Sequence, residues 1–347
     1  MLNYLLALLS FFLLSQNLNA SQDLKTHVLV VGGAGYIGSH VNEMLHEQGY
    51  ETVVLDNLSQ GNRRAVEKGV FIDGDISDAA LLDHIFQTYP IEVVMHFAAF
   101  KNVGESVSNP LKYYNNNVSA TVTLLEGMLR NHVNLFIFSS SAAIFGMPQE
   151  DLVTETHPCQ PINPYGQSKL MVEKILEDLG QVGNGFKYCA LRYFNAAGGD
   201  PRGKLKSYQT KESNLIPVVL KSLLHPEGSV TIFGTDYPTQ DGTCIRDYIH
   251  IEDLGSAHIL AMEKLLAGAQ SSCYNLGNGR GFSVRQVIDM AEKVTGMQVN
   301  VVEGERRAGD PPYLIASSAK AKQELNWHPN HGSLEEIVRD TWNALQK

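Results

Sequence analysis

Tyr165 and Lys169 stand four residues apart in NPYGQSK, residues 163–169, so a helix puts the phenol and the ammonium on one face. Alone, such a pair is ordinary surface material. It follows FSSSAAIFG, residues 138–146, where Ser139, Ser140 and Ser141 end an apolar run, so that Ser141 can orient a reacting hydroxyl. A cation beside a phenol stabilises the phenolate and lowers its pKa, which makes Tyr165 a candidate acid/base group tuned by Lys169.

A second pattern supplies a partner for that chemistry. In GGAGYIG, residues 32–38, Gly32, Gly35 and Gly38 make GxxGxxG while Gly33, Gly35 and Gly38 make GxGxxG. Glycine allows the tight turn and leaves room for a pyrophosphate at a helix start, whose amides favour an anion. Asp56 ends the next strand and is placed to accept hydrogen bonds from an adenosine ribose. Its charge repels a 2′-phosphate, which favours NAD over NADP. Asp75, after VFIDG, suits either the adenine end of the same ligand or a helix cap. A cationic nicotinamide near Tyr165 would reinforce the effect of Lys169.

The elements that must position these groups alternate regularly. THVLVV, YETVVLD, VFIDGD, EVVMHFAA and NLFIFSSS read as strands. YIGSHVNEMLHEQG, ending at Gly49, AALLDHIFQTY and a long stretch after Pro110 read as helices. Apolar strands separated by amphipathic helices predict an α/β fold with a doubly wound, Rossmann-type parallel sheet. The later part is less regular: ESNLIPVVLKSLL, DLGSAHILAMEKLL, SVRQVIDMAEKVTG and SLEEIVRDTWNAL predict helices of a smaller, mixed α/β lobe. The expected division is a hydrophobic segment over 1–24, a nucleotide-binding domain over 25–190 and a substrate lobe over 191–347, with an interleaved boundary.

With 37 acidic and 27 basic residues among 347, the chain carries a formal charge of −10, which argues against nucleic-acid binding. Cys159, Cys189, Cys244 and Cys273 have neither CxxC pairing nor ordered interleaving with histidine, so no metal site is expected.

The chain resembles the extended short-chain dehydrogenase/reductase superfamily and, within it, the UDP-glucose 4-epimerase family, over approximately residues 26–345. GGAGYIG and YGQSK are shared with the superfamily. The epimerase branch is indicated by FAAFKNVGESVSNPLKYYNNN, SSSAAIFG, LRYFNAAGGDP, TIFGTDYPTQDGTCIRDYIH, YNLGNGRGFSV and RRAGDPP. The resemblance implies reversible 4-epimerisation of a UDP-hexose through a transient 4-keto sugar, with NAD kept bound and recycled. Tyr165, Ser141 and Lys169 are the implied catalytic residues, with Tyr165 and Lys169 also touching the cofactor. Further cofactor contacts are implied for Tyr36, Ile37, Asn57, Ile76, Phe97, Ala98, Lys101, Asn116 and Tyr193. Substrate contacts are implied for Asn195, Asn214, Leu215, Phe233, Arg246, Arg307 and Asp310, the arginine forks suiting a diphosphate. A homodimer formed through a helical bundle is also implied.

This sequence departs from the family pattern by carrying Ala143 and Phe145 where members commonly have threonine and tyrosine. Leu314 falls where the resemblance places a residue beside the sugar's 2-substituent, so an N-acetyl group should also fit. A related dehydratase would need acidic chemistry just past the serines, which Ala142 and Ala143 do not supply. A non-catalytic NAD-binding protein would have no need of Tyr165 and Lys169.

The apolar run Tyr4 to Leu14 is short for a membrane span, which needs about 20 apolar residues, but has the length of a signal-peptide core. Soluble NAD and UDP-sugar point to the cytoplasm; the alternative is export or membrane tethering through residues 1–20. The sequon Asn57-Leu58-Ser59 lies where a glycan would obstruct the predicted adenosine site.

Overall fold

The structure, a computed structural model, describes residues 26–206, 208, 214–307 and 309–346. The hydrophobic segment at 1–24, and with it the signal or tether expectation, lies outside the described residues. Among the described residues no helix is long and apolar enough to cross a membrane.

Seven strands build the main sheet: β1 (His27–Val31), β2 (Glu51–Asp56), β3 (Val70–Asp73), β4 (Ile91–His96), β5 (Leu135–Ser141), β7 (Lys187–Tyr193) and β11 (Ser272–Leu276). They lie in the order β11-β7-β5-β4-β1-β2-β3 and are parallel throughout. Side chains alternate across a strand, and β1 divides accordingly. Val28 and Val30 join one buried cluster with Val41, Leu45, Leu254, Met262 and Trp327, whereas Leu29 and Val31 join another with Leu82, Phe86, Leu124, Met128, Val172 and Leu176. The first cluster belongs to α1 (Tyr36–Glu47) and α6 (Ile251–Leu266). The second belongs to α2 (Ala79–Thr88), α3 (Ala120–Arg130) and α4 (Pro164–Gln181). Burying both faces explains why these strands read as continuous apolar runs.

The stretch after Pro110 is helical, as its pattern predicts, but not uniformly so. A π-turn over Asn115–Ser119 separates Pro110–Tyr114 from α3. Asparagine is a weak helix former, and the buried Asn117 spends its amide on Phe100 instead, accepting from its N–H at 2.9 Å and donating to its oxygen at 3.0 Å.

The smaller lobe holds β10 (Ile245–His250) between β12 (Gly281–Ser283) and β14 (Tyr313–Ala316). Short β6 (Leu152–Val153) lies beyond β14, β8 (Asn195–Ala197) pairs with β10, and β9 (Val230–Phe233) pairs with β13 (Val301–Gly304). Helices α5 (Leu215–Ser222), α7 (Val284–Thr295) and α8 (Leu334–Leu345) close a third core around Ile216, Val219, Val287, Ile288, Ile337 and Val338. The four helices expected in the second half are therefore present. One of them, α6, packs with α1 beneath the main sheet, and β11 forms that sheet's edge. The chain thus crosses between lobes, and residue 190 falls inside β7.

Candidate active site

The glycine-rich turn joins β1 to α1. Gly32 has φ +79°, and a Cβ there would lie 2.5 Å from the Ala98 nitrogen; a Cβ on Gly38 would lie 2.3 Å from the Gly32 oxygen. Helix α1 starts at Gly35 without a side-chain cap, whereas Asn163 caps α4 and Ser283 caps α7. Its first turn lines the cleft, a ready seat for a pyrophosphate.

A cleft of about 870 Å³, part of it open solvent, runs along the ends of β1, β2 and β4. Gly32, Gly35, Tyr36, Ile37, Gly38, Asp56, Asn57, Asp75, Ile76, Phe97, Ala98, Lys101 and Asn116 all line it. Sequence reasoning missed Ser59, Gln60 and Phe100, which line it too; they sit in loops whose polar composition gives no periodic signal. Asp56 is buried and accepts from the N–H groups of Ala34 at 2.9 Å and Leu58 at 2.8 Å, keeping its carboxylate fixed at the cleft wall. Burial raises its pKa against those two bonds. Asp75 accepts from Asn57 at 2.6 Å and from the Ser77 N–H at 2.8 Å, while Asp78 caps α2. Of the two readings open for Asp75, the helix cap passes to Asp78. The bonds from Ser77 and Asn57 outweigh burial and hold the Asp75 carboxyl below its ordinary value.

The reacting groups gather where β5 meets α4. Asn163 accepts from the Gly166 N–H at 2.8 Å and Pro164 takes the first helical position, so α4 starts at a fixed point just before Tyr165. Ser141 caps the turn after β5 by accepting from the Ala143 N–H at 3.2 Å. Burial pushes the Tyr165 phenol upward, and a hydrogen bond with the Ser141 side chain pulls it back. Lys169 is buried, donates to the Ser139 oxygen at 2.8 Å and lies 4.8 Å from the centre of the Phe138 ring. Burial lowers its pKa to about 7, opposed by the Glu173 carboxylate. Tyr193 is also raised by burial, with the Ser139 hydroxyl pulling it down, and its ring lies 5.9 Å from that of His258. The cleft connects to this group through the π-turn: Asn117, beside Asn116, donates at 3.1 Å to Ser168, whose hydroxyl donates to the Tyr165 backbone carbonyl at 2.7 Å. Asn117 and Ser168 were not singled out from sequence, although three consecutive asparagines in a helical stretch are a visible anomaly.

The smaller lobe supplies a second polar group. Arg246 pairs with Asp310, and its register partner across β10 and β14 is Leu314. Asn195 donates to the Asp247 backbone carbonyl at 2.8 Å, and Asn214 donates to the Ala196 carbonyl at 3.3 Å. The Arg307 guanidinium stacks 3.9 Å above the Phe233 ring, and the Asp310 N–H closes the turn onto the Arg307 oxygen at 3.3 Å. Leu215 begins α5 and packs against the third core. Leu314, Phe145 and Phe194 share a fourth apolar cluster. Asp247, next to Arg246, is fully buried and accepts from the Asn278, Gly279 and Ala316 N–H groups, so this part of β10 is held by its own hydrogen bonds. Burial nevertheless pushes Asp247 up to about 6. The four cysteines are free, and no cluster able to hold a metal ion occurs among the described residues.

A glycine cradle that a Cβ would fill, an uncapped helix start and a carboxylate at the end of β2 fit a dinucleotide. Known proteins agree with that geometry. The UDP-glucose 4-epimerase of Halalkalibacterium halodurans is 50% identical over 316 residues, covering 91% of this chain and 94% of that protein. A crystal structure of UDP-glucose 4-epimerase from Brucella ovis in complex with NAD superposes with a TM-score of 0.89 at 45% identity, covering 91% of this chain and 97% of that one. The UDP-Glc/GlcNAc 4-epimerase of Campylobacter jejuni superposes with a TM-score of 0.81 at 41% identity, covering 92% and 98%. Residues 28–277 match the NAD dependent epimerase/dehydratase family, and the chain belongs to that family.

Proposed function

We propose that the protein interconverts UDP-glucose and UDP-galactose by inversion at C4 through a transient 4-keto sugar. The observation that supports this reading is the meeting of Tyr165, Ser141 and Lys169 where β5 joins α4, linked through Asn117 and Ser168 to the glycine-lined cleft. Bound NAD supplies a hydride acceptor and returns the same hydride, so the net reaction needs no outside oxidant. Tyr165 takes the proton from the sugar 4-hydroxyl and gives it back after the hexose has turned, with Ser141 holding the same oxygen. Lys169 stabilises the phenolate and binds the nicotinamide ribose. Asp56, with Asp75 and Asn57 nearby, holds the adenosine end. Arg246 and Arg307 grip the diphosphate, with Asn195, Asn214 and Leu215 along it, while Phe233 and Asp310 enclose the uridine.

A second activity, on UDP-N-acetylglucosamine and UDP-N-acetylgalactosamine, is favoured by Leu314. Its side chain rests on an apolar cluster beside Arg246 and is smaller than a tyrosine, and the similar Campylobacter jejuni enzyme is named for both sugars. A homodimer is supported by the exposure of Val107 (64%) and Leu111 (70%) on the short helices preceding the π-turn. The cofactor and substrate, together with the free cysteines, favour a cytoplasmic setting. Purified protein incubated separately with UDP-galactose and with UDP-N-acetylgalactosamine, with products resolved by chromatography, tests the substrate reading. Conversion of both is expected; conversion of neither overturns it.

A further inference from the structure

Three consecutive serines end β5, and each meets a different residue of α4. The Ser139 oxygen accepts from Lys169 at 2.8 Å, the Ser140 hydroxyl donates to the Glu173 carboxylate, and the Ser141 hydroxyl hydrogen-bonds with Tyr165. Tyr165, Lys169 and Glu173 are spaced four apart, so one helix face presents all three to one strand end. Glu173 is in turn gripped from β7. Arg192, the register partner of Ser140, places Nε at 3.0 and 3.1 Å from its two oxygens and Nη2 at 2.6 Å from Oε2. A further bond from Arg192 Nη1 to the Glu155 backbone carbonyl, at 3.1 Å, fixes the guanidinium. Lys169, Glu173, Arg192 and Ser140 are all buried, between 1% and 8% exposed.

We infer that Glu173 is a positioning residue for the epimerase reaction: held by Arg192 and Ser140, its carboxylate keeps Lys169 a cation beside Tyr165. This rests on the acid/base reading of Tyr165 given above. A buried charge pair contributes little to stability compared with apolar groups of the same volume, so its presence next to a catalytic lysine calls for another role. Among the described residues, no carboxylate other than Glu173 acts on Lys169. From β4 comes His96, which burial keeps neutral, and from β5 come the Phe138 ring and the Ser139 carbonyl. From β7 come Tyr193 and Arg192; Tyr113, on the helix after Pro110, acts on Tyr165. Glu173, one helical turn on, opposes the burial that strips the lysine of its proton. Arg192 meets this carboxylate from the neighbouring strand, whereas Lys169 shares its helix.

The test uses two variants of the NAD-loaded protein. Glu173→Gln combined with Arg192→Met removes both charges without leaving either unpaired; Arg192→Met alone leaves the carboxylate uncompensated. Two quantities are read: the alkaline limb of kcat/KM for UDP-galactose, and the ionisation of Tyr165, followed as tyrosinate absorbance against the matching Tyr165→Phe protein. In the neutral pair the alkaline limb should move down by about one pH unit, a tenfold loss on that limb, and Tyr165 should ionise at higher pH. Arg192→Met should move the limb upward. A folded neutral pair, judged by near-ultraviolet circular dichroism, with limb and phenol both unmoved overturns the inference. So do limb shifts of the same sign in the two variants. If the neutral pair does not fold, the direction in Arg192→Met decides. Absence of turnover in the unmodified protein would count against the epimerase reading only, and the tyrosinate titration would still decide the role of Glu173.

Discussion

The Lys169 ammonium donates a 2.8 Å hydrogen bond to the backbone oxygen of Ser139, the first of three serines whose third member hydrogen-bonds with Tyr165. Strand end and helix are thereby tied together at the point where the proton must move, and the phenol and the lysine cannot drift apart independently. The closure is local, but it depends on both elements starting and stopping at the right residue.

Replacing Tyr165 by phenylalanine keeps the ring and removes the proton carrier. Turnover should fall by about 10²- to 10⁴-fold. Bound NAD, measured after acid release from the purified protein, should remain. Normal turnover would exclude Tyr165 as the acid/base group.

Gly38→Ala should abolish cofactor retention. Its Cβ would sit 2.3 Å from the Gly32 oxygen and 2.8 Å from the Gly33 Cα, both in the turn's own backbone, so relief requires the cradle to open. The NAD content of the purified variant should drop at least about tenfold, the loss of only about 1.4 kcal/mol of binding energy. An unchanged content would show that the cofactor does not depend on this turn.

Leu314→Tyr narrows the space beside Arg246. Activity on UDP-N-acetylgalactosamine should fall by about 10- to 200-fold, the range for one misplaced apolar group, while UDP-galactose conversion is kept. Equal loss on both sugars would mean that Leu314 does not face the 2-substituent.

Acid should destabilise the protein well before carboxylates at their ordinary values titrate. Burial holds His40 and His258 at about 4 and His96 at about 3. Between these values and 6.5 the unfolded chain binds protons that the native state refuses. The stability is therefore complete above pH 6.5 and is lost as the pH falls toward 4. At pH 5 each histidine should cost about 2 kcal/mol relative to neutral pH. Calorimetry at pH 7.5 and pH 5.0 should show Tm falling by about 8 °C; a flat Tm would mean that these imidazoles can charge in place.

The alternation of strands and helices, the glycine turn and the Tyr165–Lys169 spacing are all local patterns and could be read directly. Apolar period identifies a face but not its partner, so the placement of β11 beside β7, about 80 residues earlier in the chain, left no mark. Composition likewise hid the break at Asn115–Ser119, where a helical pattern continues across a π-turn. Glu173 lay within reach of sequence reasoning, one helical step past Lys169, but its meaning comes from Arg192 on a strand that only the fold brings near. Arg246 and Asp310, 64 residues apart, were both expected along the substrate, but their pairing with each other left no mark in the sequence.

The passage of α6 and β11 back into the first lobe also bears on synthesis. A nascent chain that has exposed everything through β7 still has an open sheet edge at β7 and an apolar face on β5 and β7 that α6 has yet to cover. Both remain uncovered until residues 251–276 leave the ribosome. The nucleotide-binding half therefore cannot mature as an autonomous early domain: most of the chain must be made before its sheet is sheltered, and that interval is when chaperones have the most apolar surface to bind.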